Sequence, residues 1–155
     1  MHCKLGTALF AAVLAAGVTT TAQAQTQRSH FGPRISYNFD AEAVGLGAQL
    51  SVPVAHHLEF YPSLDVFFVD HGSLLGINAD LKYRIGRADV SWLYVGTGLN
   101  IARASVDGNS NSDAGLNLFV GAESLKGRVH PFGELRFTVA DGSTAQLAAG
   151  LNFTL

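Results

Sequence analysis

Opposite charges spaced two residues apart are the groups in this chain that are best placed to do chemistry. Glu134 and Arg136 form one such pair. A longer run is formed by Asp80, Lys82 and Arg84. Residues two apart in an extended strand point to the same side, so each group would bring carboxylates and cations together. Such a group can serve as a pathway or gate for ions, or it can be a network of ion pairs that only holds the structure together.

Two further groups have residue types that bind metal ions. Acidic and amide residues occur at every second position at Asp107, Asn109, Asn111 and Asp113. This alternation is typical of the start of a calcium-binding loop. The sixth residue of such a loop should be glycine and the twelfth glutamate, but here they are Ser112 and Leu118. His56 and His57 are adjacent, as in an ordinary turn. We therefore expect a solvated loop tip and a turn, and no metal site.

The composition excludes several classes of protein. The chain has 155 residues, of which 48% are hydrophobic and 14% are charged, and its formal net charge is −2. This length suits one domain, the charge offers no footprint for nucleic acid, and the apolar content is too high for a disordered chain. After the N-terminus, no apolar run reaches the roughly 18 residues that a membrane-spanning helix needs.

The N-terminal segment has the pattern of a secretory signal peptide. Residues 1–4 are short and positively charged, residues 5–18 are apolar, and residues 22–24 read Ala-Gln-Ala, which is a small-residue cleavage site. We therefore predict a signal peptide at 1–24 and a single domain at 25–155. Cys3 is the only cysteine of the chain, so the domain is expected to contain no disulfide.

The domain alternates between apolar and polar residues in eight segments, at 31–39, 44–52, 58–68, 75–85, 92–101, 115–123, 130–139 and 146–155. Alternation with a period of two predicts strands that have one apolar and one polar side. The apolar side contains no charged residue. The polar side contains nine: Arg34, Glu59, Asp65, Asp80, Lys82, Arg84, Glu123, Glu134 and Arg136.

The polar side also contains glycines and large aromatic residues, which are unusual on a surface that faces water. The aromatic residues are Tyr61, Phe67, Trp92, Tyr94, Phe119 and Phe132. Bulky residues interleaved with glycine are typical of the interior of a narrow barrel. We therefore predict an all-β fold, an eight-stranded antiparallel up-and-down transmembrane β-barrel with its apolar side in lipid. The sequence allows two registers at Trp92. Either this side chain points into the barrel, or a β-bulge beside it exchanges the inner and outer faces of the strand.

Three stretches give the domain a family resemblance. They read Tyr-Val-Gly-Thr-Gly-Leu at 94–99, Pro-Phe-Gly-Glu-Leu-Arg-Phe at 131–137 and Gly-Leu-Asn-Phe-Thr-Leu at 150–155. With them the domain resembles the small eight-stranded outer-membrane barrels of Gram-negative bacteria, the OmpA-like and OmpX-like domains of the porin family. The resemblance implies that Gly150, Phe153 and Leu155 form a C-terminal insertion signal, here closing on leucine where phenylalanine is commoner.

The resemblance also implies a location and partners. The barrel would contact outer-membrane lipid, and the barrel-assembly machinery and periplasmic chaperones would act on it during insertion. An even number of strands places both termini on one side, which is then the periplasm. The longest predicted connection, at 103–113, would lie outside the cell, where barrel loops are usually longest. No nucleic-acid partner is expected, and the extracellular partner is unknown.

Some barrels of this size are enzymes, among them the lipid A deacylases, whose active site resembles a His-x-Ser motif. His130 is followed by Pro131 and Phe132, so the serine is missing at that spacing. The match at His71 and Ser73 lies in a predicted loop without the context of that family. We therefore expect no enzyme and no cofactor.

The predicted architecture decides how the charged groups are interpreted. An eight-stranded barrel is only wide enough for its own side chains. The nine charged residues are therefore expected to form an ion-pair network in a side-chain-filled lumen, and the chain to have a structural or loop-mediated interaction role. A narrow porin-like channel for small solutes is the alternative.

Overall fold

The computed structural model describes residues 28–69, 72–85, 93–106, 109–124 and 126–155, and in these ranges the chain forms eight strands. They are β1 (His30–Asn38), β2 (Ala43–Ala55), β3 (Leu58–Val69), β4 (Gly72–Ile85), β5 (Leu93–Val106), β6 (Asn109–Glu123), β7 (Val129–Val139) and β8 (Thr144–Thr154). Each strand pairs antiparallel with the next, and β8 pairs with β1, so the sheet is a closed barrel. The predicted all-β, eight-stranded, up-and-down barrel is confirmed. The predicted signal peptide at 1–24 lies outside the described residues.

The described residues include no helix that is long and apolar enough to cross a membrane.

The alternation in the sequence corresponds to the two faces of the barrel. In β1 every second side chain is buried inside, whereas Phe31, Ile35 and Tyr37 are exposed on the outer surface. Large apolar side chains cover the outer surface along the other strands too, and most buried side chains are polar or charged. A water-soluble barrel has the reverse distribution, with its apolar face inward. The apolar side chains of these strands therefore form the outer surface of the barrel.

In the described parts of the chain, short turns join neighbouring strands at both ends of the barrel. We call the end with Leu155 and the turn at 56–57 the near end, and the end with the turns at 39–42 and 140–143 the far end. His56 and His57 form the near-end turn between β2 and β3, with ring centroids 4.1 Å apart. The predicted turns at 126–128 and 141–143 also lie between strands. The predicted turn at 86–89 lies outside the described residues.

The predicted long connection at 103–113 is wrong. β5 continues to Val106 and β6 begins at Asn109, and these two residues face each other across the strand pair. The prediction equated a polar stretch with a loop. In a hairpin that extends into water, the backbone groups of the two strands bond to each other whatever the side chains are. Solvent can hydrate polar side chains on both faces, so such a hairpin needs no apolar face.

The longer hairpin also changes two other predictions. Asn111 and Asp113, which belong to the calcium-like pattern, are exposed residues of β6 paired with β5. The expected solvated loop tip is therefore a strand at these positions. Asp107 and Trp92 lie outside the described residues, and so the register at Trp92 stays a prediction.

Glycine allows side chains from neighbouring strands to lie across the inner wall of the barrel. At Gly96 in β5, a Cβ atom would overlap the Phe119 ring and would lie 2.5 Å from the carbonyl oxygen of Leu81. At Gly76 in β4, the nearest atom would be the side-chain nitrogen of Asn100, at 3.8 Å. Packing therefore requires glycine at the first position and leaves room for a methyl group at the second.

This contrast gives a stability prediction. Gly96→Ala should lower the free energy of unfolding by about 1–3 kcal/mol, because the new methyl group must displace the Phe119 ring. Gly76→Ala is the matched control and should change it by less than about 0.5 kcal/mol. Urea-dependent unfolding of the purified chain in detergent micelles measures both values. Equal losses in the two variants would contradict the packing argument.

Candidate functional site in the barrel lumen

The nine charged residues predicted for the polar side all lie inside the barrel, and none is more than 6% exposed. Their contacts divide them into two groups. We call these the arginine cluster (Arg34, Asp65, Asp80, Glu134 and Arg136) and the lysine cluster (Glu59, Lys82, Arg84 and Glu123). Of the aromatic residues predicted to face inward, the buried ones are Tyr61, Phe67, Tyr94, Phe119 and Phe132. Trp92 lies outside the described residues.

The arginine cluster is centred on Glu134 in β7. Its Oε1 atom lies 3.4 Å from Nη2 of Arg34 and 3.0 Å from Nη2 of Arg136. Arg34 also pairs with Asp65 at 3.1 Å, and Arg136 pairs with Asp80 at 2.9 Å. Two arginines thus link three carboxylates, from β3, β4 and β7, into one continuous chain of ion pairs.

The lysine cluster lies towards the near end and contains two cations and two carboxylates. Lys82 Nζ is 2.8 Å from Glu59 and 3.2 Å from Glu123. Arg84 is 2.6 Å from Glu59 and 3.6 Å from Glu123. Ser51 donates a further, short hydrogen bond to Glu59. Each carboxylate of this cluster therefore contacts both cations, and the cluster as a whole is neutral.

Three aromatic rings, those of Tyr61, Tyr94 and Phe119, lie between the two clusters, and we call them the ring layer. Their centroids are 5.7–6.5 Å apart. Lys82 Nζ lies 4.7 Å from the centroid of the Tyr61 ring, and Arg136 Cζ lies 4.9 Å from that of Phe119. Each cluster therefore places a cation against the ring layer, at distances suited to cation–π attraction. The Tyr94 hydroxyl also donates to Glu134 at 3.1 Å.

Two buried amides, Gln49 and Asn152, connect the two clusters, and no motif in the sequence marks them. Gln49 Oε1 accepts hydrogen bonds from Arg34 at 3.2 Å and from Tyr61 at 2.9 Å. Gln49 Nε2 donates to Asn152 at 2.6 Å, and Asn152 in turn donates to Glu123 at 2.8 Å. The signal that could have found them is their position, because both amides occur on the polar side of their strands like the charged residues.

Pairing makes this amount of buried charge tolerable. A charge inside a protein is costly unless an opposite charge and hydrogen bonds replace its lost water. Each of the nine charged groups has an opposite charge within 3.2 Å. The arrangement can therefore fix strands across the lumen, since partners such as Arg34 and Asp65 belong to strands that are not neighbours in the sheet.

A polar cavity of about 240 Å³ lies at the far end of the lumen. Its lining includes Asn38, Asn78, Asn100, Thr138 and Gln146. It also includes Asp65 of the arginine cluster. Oδ1 of this aspartate accepts a hydrogen bond from Ser36 at 2.7 Å, whereas Oδ2 has no hydrogen-bond partner within the described part of the chain. Asp65 therefore connects the arginine cluster to this cavity.

The residues of the predicted insertion signal lie on the last strand and just beyond it. Phe153 and Leu155 are exposed on the outside of the barrel. Gly150 faces the lumen, where a Cβ atom would lie 2.7 Å from the Phe132 ring. Packing against Phe132 thus explains why residue 150 is glycine. Recognition of Gly150, Phe153 and Leu155 by the barrel-assembly machinery stays a prediction.

The centre of the arginine cluster gives a second stability prediction. Glu134→Gln should lower the free energy of unfolding by about 3 kcal/mol, because it leaves two buried arginines without their shared carboxylate. Glu42→Gln, in the exposed turn between β1 and β2, is the control and should have an effect close to zero. Urea unfolding in micelles measures both, and an unchanged midpoint for Glu134→Gln would refute the central role of this pairing.

Comparison with known proteins supports the fold. No protein-family model and no curated protein sequence matches the chain. The chain is similar in structure to the N-terminal β-barrel domain of Pseudomonas aeruginosa OprF, with a TM-score of 0.65 and 22% identity over 83% of this chain and all of that one. Neisserial surface protein A matches with a TM-score of 0.55 and 16% identity, and Ail of Yersinia pestis, the attachment invasion locus protein, with 0.51 and 14%. These two matches cover 83% of this chain and 95% and 97% of those chains. The described part of the chain therefore has the fold of the small eight-stranded outer-membrane barrels.

Proposed function

We propose that the chain is an outer-membrane barrel whose lumen is closed by its own side chains, and that its role is structural or depends on contacts made by its far-end hairpins. The observation that supports this most strongly is the inverted distribution of residue types, with paired charges and rings inside and apolar side chains outside. The proposal assigns no catalytic role to any residue.

The outer surface supports the membrane location. Apolar side chains such as Leu46, Leu64 and Leu118 are each about half exposed, and they belong to a band that surrounds the barrel. Monomeric soluble proteins rarely expose an apolar surface this continuous. In lipid the same band is favourable, and a closed sheet leaves no strand edge with unpaired backbone groups. Aromatic residues at both ends of the band, such as Phe60 and Phe68 on β3, fit the two membrane interfaces.

The lumen supports the closed state. The ring layer is buried, and the charged groups on both sides of it are bound to one another rather than lining an open path. An ion that crossed would have to break pairs such as Lys82–Glu59 and Arg136–Asp80 and push the rings aside. This cost favours a fixed network over a conducting pathway.

Because the lumen is closed, the two ends of the barrel are the surfaces available to bind other molecules. The β5–β6 hairpin is the clearest case, because residues 109–113 extend at the far end as exposed polar strand. We place the far end outside the cell and both termini in the periplasm, in agreement with the even number of strands. Contacts of this hairpin with other molecules are then the loop-mediated role that we propose.

The membrane location can be tested with one charge. Leu64 lies on the outer surface of β3, midway between Phe60 and Phe68, which face the same way. Leu64→Arg should lower the amount of folded barrel in the outer-membrane fraction several-fold, because arginine at the bilayer midplane costs about 2–4 kcal/mol. Ala41→Arg, in an exposed far-end turn, is the control and should accumulate normally. Immunoblots of sucrose-gradient fractions, with and without heating, measure both. Folded wild-type chain in the soluble fraction would refute the proposal.

The closed lumen can be tested by removing rings. The wild-type chain should give no steady current in a planar lipid bilayer, whereas the Tyr61→Ala/Phe119→Ala variant should give discrete openings, because it removes two of the three rings of the ring layer. The matched control is Tyr83→Ala/Phe137→Ala, which removes the same residue types from the outer surface, where they are 49% and 48% exposed. Single-channel recording measures the current. A stable wild-type conductance that the inner variant increases and the outer variant leaves unchanged would instead establish the narrow channel.

A further inference from the structure

Three residues with metal-binding side chains meet at the near end of the lumen, where two histidines lie beside Glu123 of the lysine cluster. They are His30 at the start of β1, Glu123 at the end of β6 and His130 in β7. One nitrogen of each imidazole and one carboxylate oxygen of Glu123 all lie within 4.8 Å of one another. All three side chains are buried, with exposures of 7%, 2% and 6%.

One hydrogen bond of His130 leaves its Nδ1 atom facing Glu123. Its Nε2 atom lies 3.0 Å from the carbonyl oxygen of Gly127. A carbonyl can only accept, so Nε2 bears a hydrogen, and in the neutral imidazole Nδ1 is then the nitrogen with a free lone pair. That Nδ1 atom lies 3.8 Å from Oε1 of Glu123 and has no hydrogen-bond partner in the described ranges.

His30 is in the same condition. Its Nδ1 atom is also buried and has no hydrogen-bond partner among the residues that the structure describes. Its ring centroid lies 4.7 Å from that of His130. Buried polar atoms without a partner are rare in folded proteins and call for an explanation, such as a bound ion. Here one of them, Nδ1 of His130, lies 3.8 Å from a carboxylate oxygen of Glu123, and a ring nitrogen of His30 lies within 4.8 Å of the ligand atoms of both residues.

We propose that His30, Glu123 and His130 bind a divalent transition-metal ion of the zinc type. Two imidazole nitrogens and one carboxylate oxygen are a ligand set that zinc accepts, and a water molecule or an outside ligand would take the fourth position. The proposal rests on the positions of these three side chains and does not depend on whether the lumen conducts.

The surroundings already hold two of the three ligands in place. The Gly127 carbonyl fixes the tautomer and the ring plane of His130, which is the usual outer contact of a metal-bound histidine. Asn152 donates to Oε1 of Glu123 at 2.8 Å, while Lys82 contacts Oε2 at 3.2 Å. Glu123 thus contacts the two cations of the lysine cluster with one oxygen and presents the other to His130.

The distances need only a small adjustment. Ligand atoms of a tetrahedral zinc site lie about 3.3 Å apart, given bonds of about 2.0 Å. The Nδ1–Oε1 distance of 3.8 Å is therefore already close to that value, and separations of up to 4.8 Å have to shorten by about 1.5 Å on binding. Binding would tie the first residue of β1 to β6 and β7, across the end of β8 that lies between them.

Zinc binding by the folded chain tests the proposal. The chain is purified without a histidine tag in detergent micelles and competes for Zn²⁺ with a chromophoric chelator. We expect one zinc ion per chain at micromolar affinity. His30→Asn and His130→Asn should each weaken binding by about tenfold or more. The matched control is His56→Asn/His57→Asn, which changes the exposed histidine turn and should keep the wild-type affinity.

Two results would overturn the proposal. One is a folded wild-type chain that leaves zinc with the chelator at every ratio tested, which requires no variant at all. The other is stoichiometric binding that the control variant loses while His30→Asn and His130→Asn retain it, since the exposed turn would then be the site. Heat-dependent gel migration verifies that each variant is folded before its affinity is compared. The absorption spectrum of bound Co²⁺ reports the coordination independently of the chelator.

Discussion

The pairing of buried charges is the constraint on which the rest of this barrel depends. A guanidinium or carboxylate in the lumen has lost most of its water, and an unpaired one would cost several kcal/mol, of the order of the stability of a whole domain. Glu134 meets this constraint for two arginines at once, Arg34 in β1 and Arg136 in β7. Because β8 separates β1 from β7, the Arg34–Glu134 pair joins strands that are not hydrogen-bonded to each other, and it favours the strand register that brings all partners together.

The sequence shows which residues face the lumen, but not which residues meet there. A period of two assigns each side chain to a face, and every charged residue assigned in this way lies inside. Glu134 and Arg136 pair with each other, as their spacing suggests. The run at 80–84 behaves differently, since Asp80 pairs with Arg136 and the two cations of the run pair with glutamates of β3 and β6. Partners across a barrel depend on strand tilt and stagger, and neither can be read from one strand.

Contacts at the two ends of the barrel also depend on how the strands pair, which the order of residues in one strand does not show. His30 and His130 are far apart in the chain and belong to no common motif, and only the closure of the sheet, with β8 paired to both β1 and β7, brings their rings together. At the far end the polar composition of 103–113 suggested a loop. A hairpin that leaves the apolar band no longer needs an apolar side, so alternation disappears while pairing continues.

The two clusters differ in charge, and this difference follows from where water can reach. The lysine cluster has two cations and two carboxylates, whereas the arginine cluster has two cations and three carboxylates. The surplus formal charge therefore belongs to the cluster that reaches the far-end cavity through Asp65. A carboxylate at this cavity can be hydrated, whereas a surplus charge in the lysine cluster would have neither a cavity nor a partner among the described residues. The closed lumen is therefore asymmetric, because the ring layer separates a neutral cluster near one end from an acidic cluster that borders a cavity at the other.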